Sequence, residues 1–385
     1  MSHQKCHFLI GTRWFGVLGP TQLMIDALVE QGYRVYVFGQ KDDHYARYYD
    51  DNCTLIEINM ARSYSAFWRD FKDIVRLAYY VRKYKPEGIH SFNPKPALLS
   101  WVASTVSPKT KFFIGVTGLG NTFIRAKSME PLITRALRAA CNRASYVFFQ
   151  NNDDVELFTE KNIVKPEKIK KFIGPGVDLR IFKPAPKTER GDDIIVSCTA
   201  RLIWQKGIRE YIEAARIVKE NYAGKRNITF KLYGEVDTQH PDVVDAAFVA
   251  TAHDEGTIEH ISWTDDIVHE IQQSDIFVLH SYREGAPRAI LEASACHVPT
   301  VGADAIGVRE LVQDGVTGYL TPLTEVQPIV DAISKLIDDP DLRKKMGDAA
   351  RKRIAEPFSL VNSSDAQMEM YRAVGYKIPH LAEEV

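Results

Sequence analysis

The chain has 385 residues, and single hydrophobic cores stop growing at roughly 250–300 residues, so two domains are the expectation. Its 45% apolar and 26% charged residues exclude a disordered or fibrous chain, and no run reaches the ~18 apolar residues of a membrane span. Five cysteines (Cys6, Cys53, Cys141, Cys198, Cys296) lack metal or disulfide-framework spacing, and the N-terminus lacks the apolar core of a secretion signal; a cytoplasmic protein with buried thiols is the simple reading.

The net charge of −1 hides an asymmetry. Residues 1–175 carry 25 basic against 16 acidic side chains, or +9, and residues 176–385 carry 24 against 34, or −10. A basic half suggests an anionic partner or surface, although uneven solvated faces produce the same sums. Nucleic acid is not an expected partner.

In chain order, CHFLIG (6–11) is a short apolar strand, and residues 20–32 have helical apolar spacing that stops at Gly32. RVYVFG (34–39) is a strand, 65–85 is an amphipathic stretch, and GIHSF (88–92) and KFFIGVTG (111–118) flank PALLSWVAS. A basic helix at 130–143 precedes the strand SYVFFQN (145–151). Strands separated by helical stretches imply parallel βαβ units. The Pro/Gly-rich stretch at 174–193 breaks the pattern. It divides the chain into an N-terminal domain (1–175), a linker (176–192) and a C-terminal domain (193–385), whose last helix is expected to pack back on the first domain. Alternation restarts at 193–202 and continues through helix 207–221 and strands 228–234 and 258–263. Helix 265–273, strand 275–281, helix 288–296, strand 299–304, the turn 314–320 and helices 327–337 and 340–353 follow. The fold class is α/β: two doubly wound, Rossmann-like parallel-sheet domains facing across a cleft, with ligands at the carboxyl ends of the strands.

DIFVLHSYREGAPRAILEASAC (275–296) runs from a buried strand through a glycine-bearing loop into a helix. Pro287 suits the first helical position, and amides at a helix start attract an anion. Gly285 and Ala286 let backbone approach a phosphate closely. Glu284 and Glu292, on either side of seven residues, can hold sugar or ribose hydroxyls. An ordinary helix start with two acidic residues has the same spacing.

The stretch EGAPRAILEASACHVPTVGADAIGVRELVQDGVTGYL resembles the family-4 retaining glycosyltransferases of GT-B fold. The two glutamates are followed by Gly307, Glu310, Gly315 and Gly318 at the family's later fixed points, with His297 where glycine is usual. TARLIWQKG is similar to the family's R-L-x-x-x-K-G element, in which Arg201 and Lys206 would clamp a donor diphosphate; the alternative is two solvated cations. LYGEVD and SWTDDI, with Ser262 replacing a glycine, resemble segments near the nucleobase, bringing in Gly234 and Trp263, although Trp263 also reads as core filling. The resemblance implies Glu284, Arg201 and Lys206 as catalytic residues. It implies Gly285, Ala286, Pro287, Arg288, Leu291 and Glu292 as further donor contacts. No Asp-x-Asp motif stands out, so neither metal nor cofactor is expected; Asp265 and Asp266 read as a helix start.

HSFNPKPALLS and GVTGLGNTF resemble a subgroup similar to bacterial transferases that add N-acetylgalactosamine to undecaprenyl-diphosphate sugars. The resemblance implies a UDP-sugar donor and a polyprenyl-diphosphate-linked sugar acceptor. Lys95 and the amides of Gly118 to Gly120 would line the cleft. Arg13, Gly16, His90, Asn93, Thr117 and Asn121 complete the acceptor-side set. His90 is either a proton relay or a structural histidine, and Thr117 stands near where many members place a histidine. The basic aromatic segments 65–85 and 121–143 suit peripheral contact with anionic lipid at the inner face of the membrane, or packing on the sheet. Rival readings are a nucleotide-sugar 2-epimerase of the same fold and a non-catalytic sugar-binding protein. A dinucleotide oxidoreductase is disfavoured, because no G-x-G-x-x-G follows the first strand.

Overall fold

Continuous apolar runs such as Phe8–Ile10 and Ile276–Leu279 have both faces buried, as strands of a parallel sheet covered by helices must. A computed structural model describes residues 5–41, 53–58, 67–119, 129–171, 174–189, 191–238 and 240–381. It divides into two units, residues 1–175 with 361–385, and residues 176–360.

In the first unit, seven strands form a sheet of order β3-β2-β1-β4-β5-β6-β7: β1 (Cys6–Arg13), β2 (Arg34–Gln40), β3 (Cys53–Glu57), β4 (Gly88–Phe92), β5 (Lys111–Val116), β6 (Tyr146–Phe149) and β7 (Ile169–Lys171). Every pairing is parallel. Leu77 and Val81 of helix Phe67–Tyr84 and Ile133 and Leu137 of helix Glu130–Arg143 join one core cluster. Met24, Ile25 and Leu28 of helix Trp14–Glu30 join another, together with Met368, Met370 and Tyr371 of helix Leu360–Arg372. The C-terminal helix therefore packs with the first sheet.

The second unit holds a six-stranded sheet of order β10-β9-β8-β11-β12-β13: β8 (Ile194–Thr199), β9 (Ile228–Tyr233), β10 (Glu259–Ile261), β11 (Ile276–Leu279), β12 (Thr300–Ala303) and β13 (Gly318–Thr321). It too is wholly parallel. Between Gly176 and Asp193 no helix or named strand is found among the described residues; Val177 makes one isolated bridge to Ser359.

Several elements are absent from the sequence reading. Strand Cys53–Glu57, strand Ile169–Lys171 and the four-residue helix Val308–Leu311 are too short for a periodic signal. Helices Asn152–Glu160 and Ala246–Asp254 begin at side-chain caps. The Asn151 Oδ1 accepts from the Asp154 amide at 2.8 Å and the Asp245 Oδ1 from the Ala247 amide at 2.9 Å, a signal present in the sequence as Asn/Asp before an apolar-periodic stretch. No helix of the described residues is long and apolar enough to cross a membrane.

Candidate functional site

In a doubly wound sheet the crevice lies where strand order reverses, outside the carboxyl ends of the two central strands. In the second unit these are β8 and β11, so the loops 200–207 and 280–287 meet there. The Tyr282 amide donates to the Gln205 carbonyl at 2.9 Å and the Ser281 hydroxyl donates to the same oxygen at 3.2 Å. Gly207 has φ +70°, and a Cβ on it would stand 2.2 Å from the His280 carbonyl oxygen. The loops run too close together there for any side chain.

That closure sets the Lys206 ammonium in an ion pair with the Glu284 carboxylate, both side chains largely buried. The backbone fixes Glu284 from its other side: its amide donates to the Ile306 carbonyl at 3.0 Å. A Cβ on Gly307 (φ +81°) would lie 2.6 Å from the carbonyl oxygens of Glu284 and Gly285. Arg201, half exposed, pairs with Asp237 at 3.2 Å, and Arg288 pairs with Glu292 one turn along the helix at 3.5 Å. Each cation of the predicted donor-side set is thus held by a carboxylate of the same unit. Burial raises the Glu292 carboxyl above its ordinary range, and the Arg288 charge opposes this. The Tyr282 hydroxyl donates to Glu210; burial first and then that bond push it up to about 12. This tyrosine–glutamate strut joins the 280–287 loop to helix Ile208–Asn221. It has no sequence signal, because the partners are 72 residues apart.

The helix opens at Arg288, with Pro287 at the cap position (φ −71°, ψ 115°) and no side-chain cap. Pro287 therefore sits one place earlier than the first helical residue predicted. Leu291 is fully buried and its amide bonds back to Pro287, so it is a packing residue and the donor contact predicted for it is corrected. Ala286 is buried in the loop. Gly234, at φ +147°, could carry no Cβ, which would fall 1.8 Å from the Ala200 carbonyl oxygen; the turn after β9 thereby closes on the loop after β8. Trp263 is 37% exposed and its Nε1 donates to Asp265 Oδ1 at 3.2 Å, which overturns the core-filling alternative. Asp266 caps helix Ile267–Gln273 through the His269 amide at 3.1 Å. His297, in place of the usual glycine, adopts φ +62°, with Nδ1 2.7 Å from Asp348. No group of three His, Cys, Asp or Glu suited to a metal ion occurs among the described residues.

In the first unit the switch point lies between β1 and β4. Arg13 ends β1 where the register with β2 shifts. Gly16 is on helix Trp14–Glu30, which starts directly after β1. Asn93 (φ +77°) begins helix Pro94–Ser104, and its Oδ1 accepts from the Thr117 hydroxyl at 2.7 Å. These two polar residues are brought together at the ends of β4 and β5, with Gly118 (φ +137°) beside them. His90 belongs to the interior. It is fully buried, its ring is stacked on Phe92 at 4.2 Å, and its Nδ1 is 2.7 Å from the Tyr371 hydroxyl. Burial holds its pKa well below the ordinary value, and nearby His7 adds to this. Of the two alternatives for His90, the structural one fits this position. Lys95 is also buried, paired with Asp70 at 2.9 Å, so its predicted place as a cleft cation is corrected. Asn121 and Gly120 lie outside the described residues.

A profile described as Glycosyl transferases group 1 matches residues 180–353, and one described as Glycosyltransferase Family 4 matches residues 21–181. The chain is 25% identical over 335 residues to N,N'-diacetylbacillosaminyl-diphospho-undecaprenol alpha-1,3-N-acetylgalactosaminyltransferase of Campylobacter jejuni, covering 83% of this chain and 86% of that one. It is 24% identical over 314 residues to the Escherichia coli UDP-Gal:alpha-D-GlcNAc-diphosphoundecaprenol alpha-1,3-galactosyltransferase, covering 79% of each. Among solved structures, sucrose-phosphate synthase from Thermosynechococcus elongatus aligns over 96% of this chain and 99% of that chain, with TM-score 0.78 and 18% identity. Anabaena Alr3699/HepE, solved with UDP and glucose, aligns over 96% and 100% with TM-score 0.73 and 19% identity. The fold is GT-B, and with one profile on each half of its sequence the chain belongs to the glycosyltransferases that join a family 4 domain to a group 1 domain.

Proposed function

We propose that this glycosyltransferase moves a sugar of the N-acetylhexosamine class from a UDP donor to a hydroxyl of a polyprenyl-diphosphate-linked glycan, with retention of anomeric configuration. The observation that carries the reading is the Lys206–Glu284 pair at the β8/β11 switch point, with Arg201 at the end of the same loop. The names of the two bacterial relatives, an N-acetylgalactosaminyltransferase and a UDP-galactose-dependent enzyme acting on undecaprenyl-diphosphate sugars, support the donor and acceptor classes.

In this reading Lys206 and Arg201 neutralise the diphosphate as the glycosidic bond breaks, exchanging their carboxylate partners for phosphate oxygens. Charge developing on a leaving group is where fixed cations act most strongly on rate. Glu284, released from Lys206, orients the donor sugar and stabilises positive charge at its ring. Glu292 accepts hydrogen bonds from the ribose hydroxyls. The acceptor hydroxyl attacks from the face the diphosphate leaves, and a departing phosphate oxygen takes its proton. Two cationic side chains and a helix start supply the charge that a metal would otherwise bring. The enzyme works at the cytoplasmic face of the membrane, where a lipid-linked acceptor is presented.

The test is a thermal-shift comparison of UDP-N-acetylhexosamines, UDP-hexoses and GDP-mannose, in EDTA and with added divalent cation. Mass and NMR analysis of the product on a polyprenyl-diphosphate-linked N-acetylhexosamine follows. A UDP-N-acetylhexosamine should give the largest shift and an α-linked product in EDTA. A GDP-sugar preference, a β-linked product or abolition by EDTA overturns the corresponding part. Sugar isomerised without any acceptor would favour the epimerase reading.

A further inference from the structure

Helix Phe67–Tyr84 has two apolar faces, and the sheet uses only one. Leu77 and Val81 are buried in the first unit's core, with Ile74 packed against it. Trp68, Phe71, Val75 and Tyr79 lie on the other side, 77%, 52%, 52% and 58% exposed. Their spacing of three and then four residues makes one stripe. Lys72, Arg76, Arg82 and Lys83 are also exposed, and at 3.6 residues per turn the eight residues share an arc of about 140°. The Lys83 ammonium sits 5.7 Å above the Tyr79 ring. The acids of this helix are turned away from that arc: Asp73 is buried, and Asp70 is paired with buried Lys95. The arc therefore carries large apolar side chains and positive charge and no negative charge.

We propose that this outer arc is a docking surface for an anionic lipid bilayer, on which the helix lies in the interface plane. The aromatic and aliphatic stripe enters the acyl boundary while the flanking cations meet lipid phosphates, the arrangement of interfacial helices. Cations with no acid among them on the arc complement the phosphates of an anionic lipid surface. The inference rests on the lipid-linked acceptor proposed above, and it assigns the membrane contact to one helix face.

The test is cosedimentation of the full chain with vesicles of phosphatidylglycerol in phosphatidylcholine, against phosphatidylcholine alone, at low and high salt. The chain should pellet with the anionic vesicles only, and salt should release it. Trp68→Ser with Phe71→Ser, and separately Lys72→Gln with Arg76→Gln, should each remove most binding, the latter by about fivefold per cation. Both pairs are exposed, and melting temperatures should match the wild type. Turnover on a water-soluble short-chain acceptor should stay at the wild-type level in both variants while turnover on vesicle-embedded acceptor falls. Failure of the docking surface is thus separable from failure of the proposed reaction. Equal binding to neutral vesicles, full binding by the variants, or a dimer in light scattering that the Trp68 and Phe71 changes dissociate would each overturn the proposal.

Discussion

The two sheets are wound alike, yet their switch points handle charge differently. Beside β8 and β11, Arg201, Lys206 and Arg288 are each paired with a carboxylate of the same unit. Beside β1 and β4, two of the chargeable groups flagged by the sequence are withdrawn. His90 is in the core, and Lys95 is spent on Asp70. Arg13 stays at the end of β1, and a neutral asparagine–threonine pair occupies the ends of β4 and β5. In the reaction proposed above, the β8/β11 switch point would exchange its ionic partners for a diphosphate and the β1/β4 switch point would offer hydrogen bonds to the acceptor.

Removing a cation or its partner is the hardest blow to the charged side of this contrast. Lys206→Ala and Glu284→Ala should each lower kcat by ~10²-fold or more, the scale for losing a transition-state charge partner. Because the pair is largely buried, each change also strands a charge, at about 1–3 kcal/mol of stability. Steady-state kinetics and denaturant melts check both numbers, and wild-type turnover in both variants would refute the assignment. Gly207→Ala comes next. Its methyl would collide with the His280 carbonyl, part the two loops and cost about 1–3 kcal/mol. A melt unchanged from wild type would show that the loops are not closed on one another.

The withdrawn side is tested by pH. His7 is fully buried, and burial first and the Lys111 charge second lower its pKa to about 3; His90 is also shifted well down. Both are neutral in the fold and become charged on unfolding below about pH 6.5. The unfolded state then binds more protons, so the stability these groups contribute is complete above that pH. It falls as pH drops toward the folded values, at about 1.4 kcal/mol per pH unit per histidine. Denaturant melts at about pH 7.5 and pH 5.5 should show this loss, and His90→Phe should remove up to half the slope. An unaltered slope would place His90 in contact with solvent. The smallest effect is on Asp237. The Asp237 side chain is buried but its partner Arg201 is half exposed, and pairs with an exposed end contribute about 0–1 kcal/mol. Asp237→Asn should tighten UDP binding about two- to fivefold by freeing Arg201. Calorimetry showing weaker binding would mean that Asp237 holds Arg201 in the productive position.

Much of the second unit's site could be read from the chain because its parts are local. A strand, a glycine loop and a helix start occupy residues 275–296 in one run, and Arg201 and Lys206 are five residues apart. The partners of those groups could not be read. Asp237 is 36 residues from Arg201 and Glu210 is 72 from Tyr282, and nothing in their neighbours' sequence marks them. His90 and Lys95 were flagged by motif, but a motif does not say which face of a strand or helix turns inward.

The sequence by itself determined the alternation of strands and helices, hence two parallel sheets, and the glycines at 207, 234 and 307 that let backbones approach. Periodicity and missing side chains act within a few residues. Tertiary structure alone decided which carboxylate each cation meets. It also decided that helix Phe67–Tyr84 keeps its aromatic stripe outward. Those outcomes depend on burial, which is a property of neighbours brought together by folding.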